Sequence, residues 1–183
     1  MLIALDAAKG TRTLLNRTRL LALTVAIAVI SLFPISHASS AKKNYQRIIS
    51  LSPSGTEDLF AIGAGRQIIA VSSDSNFPST APTTSLDAFT PNIESIAAMK
   101  PDLVLLNSGA TKAISIRAGL EKLKIDVYME NAPTNLAGVY KEIMDLGHLT
   151  GNTAGAYRTV TTMKSKISKA LSSGRRIKNI TFY

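Results

Sequence analysis

The sequence predicts an α/β fold in which a mostly parallel sheet is flanked by helices. Short runs of β-branched and apolar residues alternate with segments whose apolar residues recur at helical spacing. Residues 103–106 (Leu-Val-Leu-Leu) are continuously apolar, as expected of a parallel strand covered on both faces. The chain has 183 residues, 45% of them hydrophobic, which suits one globular domain with its own core.

The first strand and helix are predicted from residues 47–63. Residues 47–51 form a β-branched run that Pro53 ends, which indicates a strand. Ser54 and Glu57 have the S-x-x-E spacing of a capping box, so the helix is expected to be capped at Ser54. Gly63 supplies a C-terminal stop for this helix.

The next elements continue the alternation. Asn92 can cap a helix that ends before Pro101. Further strands are predicted at 68–71, 103–106 and 127–129, and further helices at 113–123 and 136–143. This order of strands and helices is typical of an α/β protein.

A longer helix is predicted from Asn152 to about Leu171. Its apolar stripe comprises Ala156, Val160, Met163, Ile167, Ala170 and Leu171. Residues 172–176 are predicted to be a linker and residues 177–183 a strand. Because an apolar strand needs partners, the chain is expected to have just entered a second domain.

The N-terminal segment has the pattern of a secretory signal. Arg12, Arg17 and Arg19 precede an apolar run at 20–33, and Ser36-His37-Ala38 is a small-x-small cleavage site. The run is short for a membrane span, which needs about 20 apolar residues. We therefore expect residues 1–38 to be a signal peptide, with a retained membrane anchor as the alternative.

The net charge gives little support to nucleic-acid binding. The formal charge is +9, from 21 basic and 12 acidic residues. Residues 1–38 hold four basic residues and one acidic residue, so the remainder carries 17 minus 11, or +6. These basic residues are scattered and form no stripe with aromatic side chains, so no nucleic-acid partner is expected.

The sequence offers no set of catalytic or metal-binding residues. It contains no cysteine and two histidines, His37 and His148, and His37 lies in the predicted signal. His148 follows Gly147 near a helix end, where we interpret it as structural. The phosphate-loop, dinucleotide-binding and nucleophile-elbow patterns are absent. We expect no enzyme activity, no catalytic residue, no metal ligand and no cofactor.

Polar loops follow three of the predicted strands. In open α/β sheets, ligands bind beyond the carboxyl ends of the strands. The sequence therefore predicts a site for an unspecified ligand, with candidate residues Pro53, Ser54, Asp74, Ser75, Asn76, Phe77, Asn107 and Ser108.

Several ordered motifs resemble one family. Residues 47–57 and 59–65 are similar to the opening of the periplasmic iron-siderophore and vitamin B12 binding proteins. Asn76-Phe77-Pro78 is similar to their (Asp/Asn)-Tyr-Pro element. Residues 92–104 match their N-x-E-x-I-x-x-L-K-P-D-L-V signature with Met99 in place of one leucine, and residues 146–151 match the turn before their long helix.

The resemblance implies a two-lobed receptor of an ABC importer, exported to the periplasm and monomeric when complete. Residues 39–151 would form the N-terminal lobe, residues 152–172 the interlobe helix, and residues 173–183 the start of a truncated second lobe. The ligand would be a metal chelate, such as an iron siderophore, haem or cobalamin, held between the lobes. One lobe alone is expected to bind it weakly or not at all.

The resemblance also implies a role for Glu94. Receptors of this family dock on the membrane permease through one glutamate per lobe, and Glu94 matches the first-lobe glutamate. An exposed carboxylate would steer the encounter with basic residues of the permease. The alternative is that Glu94 only stabilises the positive end of its helix dipole.

Departures from the family pattern bear on the ligand. The cleft tyrosine of the B12 binder corresponds to Asp74, and two cleft tryptophans correspond to Ala88 and Asn107. Phe89, next to Ala88, is the aromatic side chain that could replace one of them. Since the chain has no tryptophan, the loss of stacking surface favours a siderophore or haem over cobalamin.

Alternative functions remain open at this point. A receptor for bare zinc or manganese would need several histidines or carboxylates that converge in the cleft. His148 is the only histidine beyond the predicted signal, which argues against this alternative. A secreted α/β enzyme would need catalytic residues in the part of the protein that this sequence lacks. A third possibility is a degraded gene whose product no longer functions.

Overall fold

The computed structural model describes residues 43–174 of the chain. The predicted signal peptide and the predicted C-terminal strand at 177–183 lie outside the described residues. The strands are β1 (Ile48–Leu51), β2 (Ile68–Val71), β3 (Leu103–Asn107) and β4 (Asp126–Glu130). The helices are α1 (Pro53–Ala61), α2 (Ile93–Ala98), α3 (Ala113–Lys122), α4 (Leu136–Leu149) and α5 (Thr153–Gly174), and a 3₁₀ turn spans Gly65–Gln67.

The four described strands form one parallel sheet in the order β2-β1-β3-β4. Ile48 pairs with Leu103 and Leu103 pairs with Asp126, so β1, β3 and β4 start level. The predicted α/β fold class is therefore confirmed. Because all four strands run in the same direction, the loops that follow them emerge together at one end, here called the C-terminal end of the sheet.

Alternate strand residues point to opposite faces of the sheet. Ile48, Leu103 and Leu105 pack with buried residues of α1, α4 and α5. Ile49, Val104 and Leu106 pack on the other face with α2 and α3. The sheet is thus covered on both sides, which explains the continuously apolar sequence of β3.

Helix α1 begins two residues earlier than the capping box predicts. The N-cap is Ser52, whose Oγ accepts a hydrogen bond from the Gly55 amide at 3.3 Å, and Pro53 occupies the first turn. The prediction that Ser54 caps this helix is therefore wrong. Pro53 explains the error, because its fixed φ and missing N–H suit the start of a helix and leave Ser54 inside it.

The predicted stop at Gly63 is confirmed. Gly63 has a φ of +89°, its amide donates to the Phe60 carbonyl, and the Ala64 amide donates to Leu59. These two bonds form a Schellman motif, which satisfies the last carbonyls of the helix.

Buried Gln67 connects three segments at the opposite end of the sheet. Its Nε2 donates to the carbonyls of Tyr45 and Thr150 at 2.7 and 2.9 Å, and its Oε1 accepts from Asn152 at 2.8 Å. All of its hydrogen-bonding groups are used within the protein, so this buried amide fixes the turn between α4 and α5 against the chain before β1.

Helix α5 is longer than predicted, because Ser172 and Ser173 continue the helix instead of forming a linker. The predicted apolar stripe is covered only in its first half. Ala156 and Val160 are buried, Met163 and Ile167 are half-buried, and Leu171 is 64% exposed. None of the helices within residues 43–174 combines the length and apolar character that a membrane span requires.

Candidate functional site

The loop after β1 lies at the centre of the C-terminal end of the sheet. Its polar side chains form a connected network on the α1 side. Thr56 Oγ1 lies within hydrogen-bonding distance of Ser50 Oγ (2.9 Å) and of the Ser52 carbonyl (2.8 Å). Ser52 Oγ and Ser54 Oγ are 3.1 Å apart. Of the two predicted residues here, Pro53 is half-buried and Ser54 is exposed, so Ser54 can present a hydroxyl to a ligand.

The loop after β2 places its predicted residues in different environments. Ser75 is buried, and its Oγ lies 2.7 Å from Ser72 Oγ, which holds the loop together. Asp74 and Asn76 are exposed, and Phe77 is 62% exposed. A cavity of about 130 Å³ lies beside them and is lined by Ser72, Ser75, Asn76 and Pro78, among others. Of the predicted residues, this loop therefore offers one apolar and two polar side chains to solvent.

Phe89 lies in the segment that precedes α2. The Asp87 carboxylate accepts hydrogen bonds from the Phe89 and Thr90 amides at 2.7 and 2.9 Å. These bonds, with Thr90 contributing most, lower the pKa of Asp87. The Phe89 side chain is 57% exposed. An exposed aromatic ring on a segment fixed in this way provides stacking surface at small entropic cost.

The loop after β3 is short and held by local bonds. Asn107 Oδ1 accepts from the Gly109 amide at 2.7 Å, and the Ser108 amide donates to the Glu130 carbonyl at 2.9 Å. Asn107 is half-buried and Ser108 is exposed. The parallel sheet thus brings Ser54 and Ser108 to neighbouring strand ends, as the sequence predicts.

Sequence reasoning missed the buried carboxyl groups on the α1 side of the site. Ser54 Oγ donates to Glu130 Oε1 at 2.5 Å. Glu130 at the end of β4 is 6% exposed, and Glu142 in α4 is 8% exposed. Burial and the nearby charges of Glu130 and Asp58 raise the pKa of Glu142 to about 7. Burial, with Glu130 and Glu57, raises the pKa of Asp58 to about 6.

One sequence signal could have identified Glu130. In β4, Asp126, Tyr128 and Glu130 share one face, and Tyr128 packs against the core cluster on that face. A glutamate on this core-facing side of the strand must either be buried beneath a helix or lie at the end of the strand. Glu142 gives a weaker signal, because it is flanked by exposed Lys141 and buried Ile143.

The described residues contain no group of three or more His, Cys, Asp or Glu side chains arranged to hold a metal ion. His148 is exposed near the end of α4. The candidate site therefore presents hydroxyl, amide and aromatic groups and the Asp74 carboxylate, with two buried carboxyl groups on its α1 side.

Glu94 lies on the other side of the sheet in the first turn of α2. Asn92 caps this helix, with its Oδ1 accepting from the Ser95 amide at 2.8 Å. The Glu94 side chain is exposed. Its position satisfies both interpretations of this residue, since it is accessible to a partner and lies near the positive end of the helix dipole.

Comparison with known proteins gives a consistent result. The family model described as "Periplasmic binding protein" matches residues 48–181. The chain is 30% identical over 130 residues to an uncharacterized ABC transporter substrate-binding lipoprotein, YvrC, of Bacillus subtilis (strain 168). That match covers 69% of this chain and 41% of the relative.

Two solved structures share the fold at 28% sequence identity. A possible iron-binding (periplasmic solute-binding) protein from Staphylococcus epidermidis ATCC 12228 has a TM-score of 0.68, with 76% of this chain and 54% of that chain covered. The periplasmic vitamin B12 binding protein BtuF of Vibrio cholerae has a TM-score of 0.60, with 68% and 49% covered. The chain thus spans about half the length of the proteins it matches.

Proposed function

Because the chain belongs to the periplasmic binding protein family, we propose that it is the receptor component of an ABC importer and binds a metal chelate at the C-terminal end of its sheet. The observation that carries the proposal is the family match over residues 48–181, which include every loop predicted to contact the ligand. The proposal is a binding function and assigns no catalytic step.

The ligand class follows from the exposed side chains at this end of the sheet. Phe77 and Phe89 offer apolar and stacking surface, and Ser54, Asn76 and Ser108 offer hydrogen-bonding groups. A bound chelate needs both kinds of contact, because its ring or arms are apolar while its periphery carries amides, carboxylates or hydroxyls. We infer an iron siderophore, haem or cobalamin, with the first two favoured by the absence of tryptophan.

We further propose the domain organisation that the sequence suggests. Residues 39–151 form the first lobe, 152–174 the interlobe helix, which the structure extends to Gly174, and 175–183 the start of a second lobe. The exposed distal half of α5, with Leu171 64% exposed, supports this proposal, because an apolar residue far from the first lobe suits a contact with further protein. One lobe then provides one wall of the ligand cleft.

Location and partner complete the proposal. Residues 1–38 act as a cleavable signal that exports the protein to the periplasm, where it delivers the chelate to a membrane permease. Exposed Glu94 supplies the docking carboxylate of this lobe.

The ligand site can be tested by NMR titration of the ¹⁵N-labelled chain with cyanocobalamin, a gallium(III) siderophore and gallium protoporphyrin, which are diamagnetic. We expect weak, saturable shift changes for at least one probe, confined to the loops that carry Ser54, Asn76, Phe89 and Ser108. Phe89→Ala should weaken the response, and Leu171→Ala, which removes an exposed apolar side chain far along α5, should leave it unchanged. Shift changes centred on the groove beside Arg158 and Lys166 would contradict the proposal, as would the absence of any response from a two-lobed receptor that contains this lobe.

A further inference from the structure

Two buried carboxyl groups meet between α1, β4 and α4. Glu130 and Glu142 are 6% and 8% exposed, and a hydrogen bond to Glu130 is one of the causes that raise the pKa of Glu142. Among the described residues, no donor reaches Glu130 Oε2 or Glu142 Oε1. A buried polar atom without a partner costs about 1–3 kcal/mol, and more if it is charged, so this arrangement needs an explanation.

The titratable groups around the pair are mostly acidic: Glu57 and Asp58 lie on α1, Tyr128 on β4, and Asp145 on α4, where it forms an ion pair with Lys141. Lys164 on α5 lies 5.0 Å from the ring centroid of Tyr140 on α4. The two lysines are thus engaged by other groups. Two ionised carboxylates buried side by side would repel each other, whereas one proton between them removes the repulsion and supplies the missing donor.

We propose that Glu130 and Glu142 hold one proton between them as a carboxyl–carboxylate pair, and that Ser54 links this pair to the C-terminal end of the sheet. Ser54 donates to Glu130 Oε1 at 2.5 Å. The α1 backbone lies against the other oxygen, because a Cβ on Gly55 would be 2.7 Å from Glu130 Oε2. A change of charge on Glu130 therefore acts directly on the first turn of α1. This inference does not depend on the proposed ligand binding.

The direction of the pH effect follows from the shift at Glu142. Burial and the Glu130 charge raise the pKa of Glu142 from 4.5 to about 7. The folded protein therefore holds this proton more tightly than the unfolded chain does. The stabilisation is complete below about pH 4.5 and is lost as the pH rises through about 7.

The decisive experiment is a pH titration of the full chain labelled with ¹³C at the glutamate carboxyl carbons. We expect one carboxyl of the pair to titrate with a midpoint between about pH 6 and 8, and the Gly55 amide resonance to follow the same midpoint. Midpoints below about pH 5 for both carboxyls would overturn the shared proton. A Gly55 amide resonance that does not shift over the same pH range would overturn the link to α1.

Variants test the same idea through stability. For the unaltered chain, Tm should fall as the pH rises from about 5 to 8. Glu142→Gln places an amide donor where the proton lies, so it should remove at least half of this fall, with Asp58 accounting for the remainder. Glu121→Gln, which alters an exposed glutamate paired with Arg117, should preserve it. An unchanged fall in folded Glu142→Gln would overturn the proposal. If that variant does not fold, the carboxyl titration of the unaltered chain decides between the two outcomes.

Discussion

The crossing of α5 over the end of α1 depends on Gly155. A Cβ at this position would lie 1.9 Å from the carbonyl oxygen of Ile62 and 2.8 Å from its carbonyl carbon. Both atoms belong to the backbone at the C-terminus of α1, so no side-chain rotation can relieve the clash. We predict that Gly155→Ala destabilises the protein although alanine favours the helix.

The loss of unfolding free energy in Gly155→Ala can be estimated from these distances. Because real Cβ atoms essentially never approach closer than 3.0 Å, α5 must move away by about 1.1 Å (3.0 minus 1.9). A gap of about 1 Å forfeits a quarter to a half of each dispersion contact across it, and buried Ala156 and Val160 make such contacts. Overpacking costs about 1–3 kcal/mol and occasionally more, against a gain of about 1 kcal/mol in helix propensity. Because the clash is with backbone atoms, we take the upper end of this cost, which leaves a net loss of about 2 kcal/mol.

Urea unfolding followed by circular dichroism measures this loss. Gly119→Ala in α3 is the matched control, because the added Cβ would lie 2.6 Å from Ile93 Cδ1, the movable end of a side chain. That variant should stay within about 1 kcal/mol of the unaltered chain or become more stable. If Gly155→Ala is as stable as Gly119→Ala, the close crossing of α5 over α1 is refuted.

Two further predictions concern the other end of the sheet and the proposed partner. Gln67→Leu should lower the free energy of unfolding by about 1–3 kcal/mol, because the Tyr45 carbonyl loses its donor, while Thr150 and Asn152 keep only the bond that joins them. Exposed Gln46→Leu should change it by less than about 0.5 kcal/mol in the same urea experiment. Glu94→Ala in a two-lobed receptor that contains this lobe should lower the uptake of the chelate by cells and leave the affinity for the chelate unchanged. The control Glu121→Ala should alter neither quantity. Lowered affinity with normal uptake would count against docking through Glu94.

Most of the fold could be predicted because its signals are local. The continuous apolar run of β3, the Asn92 cap and the Gly63 stop each depend on a few neighbouring residues. The start of α1 shows how local signals compete. Ser52 and Ser54 can both cap a helix, and the sequence alone favoured Ser54 because Glu57 completes its capping box. Ser52 is the N-cap because the fixed φ of Pro53 suits the first turn of the helix.

The candidate site was predictable in part for the same reason. The polar loops follow strands, and strand direction brings Ser54 and Ser108 to one end of the sheet without knowledge of any contact. The bond between Ser54 and Glu130 spans 76 residues and depends on strand order, since β4 must lie beyond β3 for Glu130 to reach under α1. Neither the burial of Ser75 nor the meeting of Glu130 with Glu142 has a counterpart in local spacing.

The two ends of the sheet differ in how completely their polar groups are paired. At the end where the strands begin, the two Asp102 oxygens accept from the Gln46 and Arg47 amides at 2.8 and 2.9 Å, and the Arg47 side chain donates to two carbonyls. At the C-terminal end, Glu130 and Glu142 each keep a buried oxygen without a donor among the described residues. Apolar side chains of similar size would pack there without this cost. Local conflicts of this kind concentrate at functional sites, so the unpaired carboxyls and the exposed loops are independent reasons to place function at the C-terminal end of the sheet.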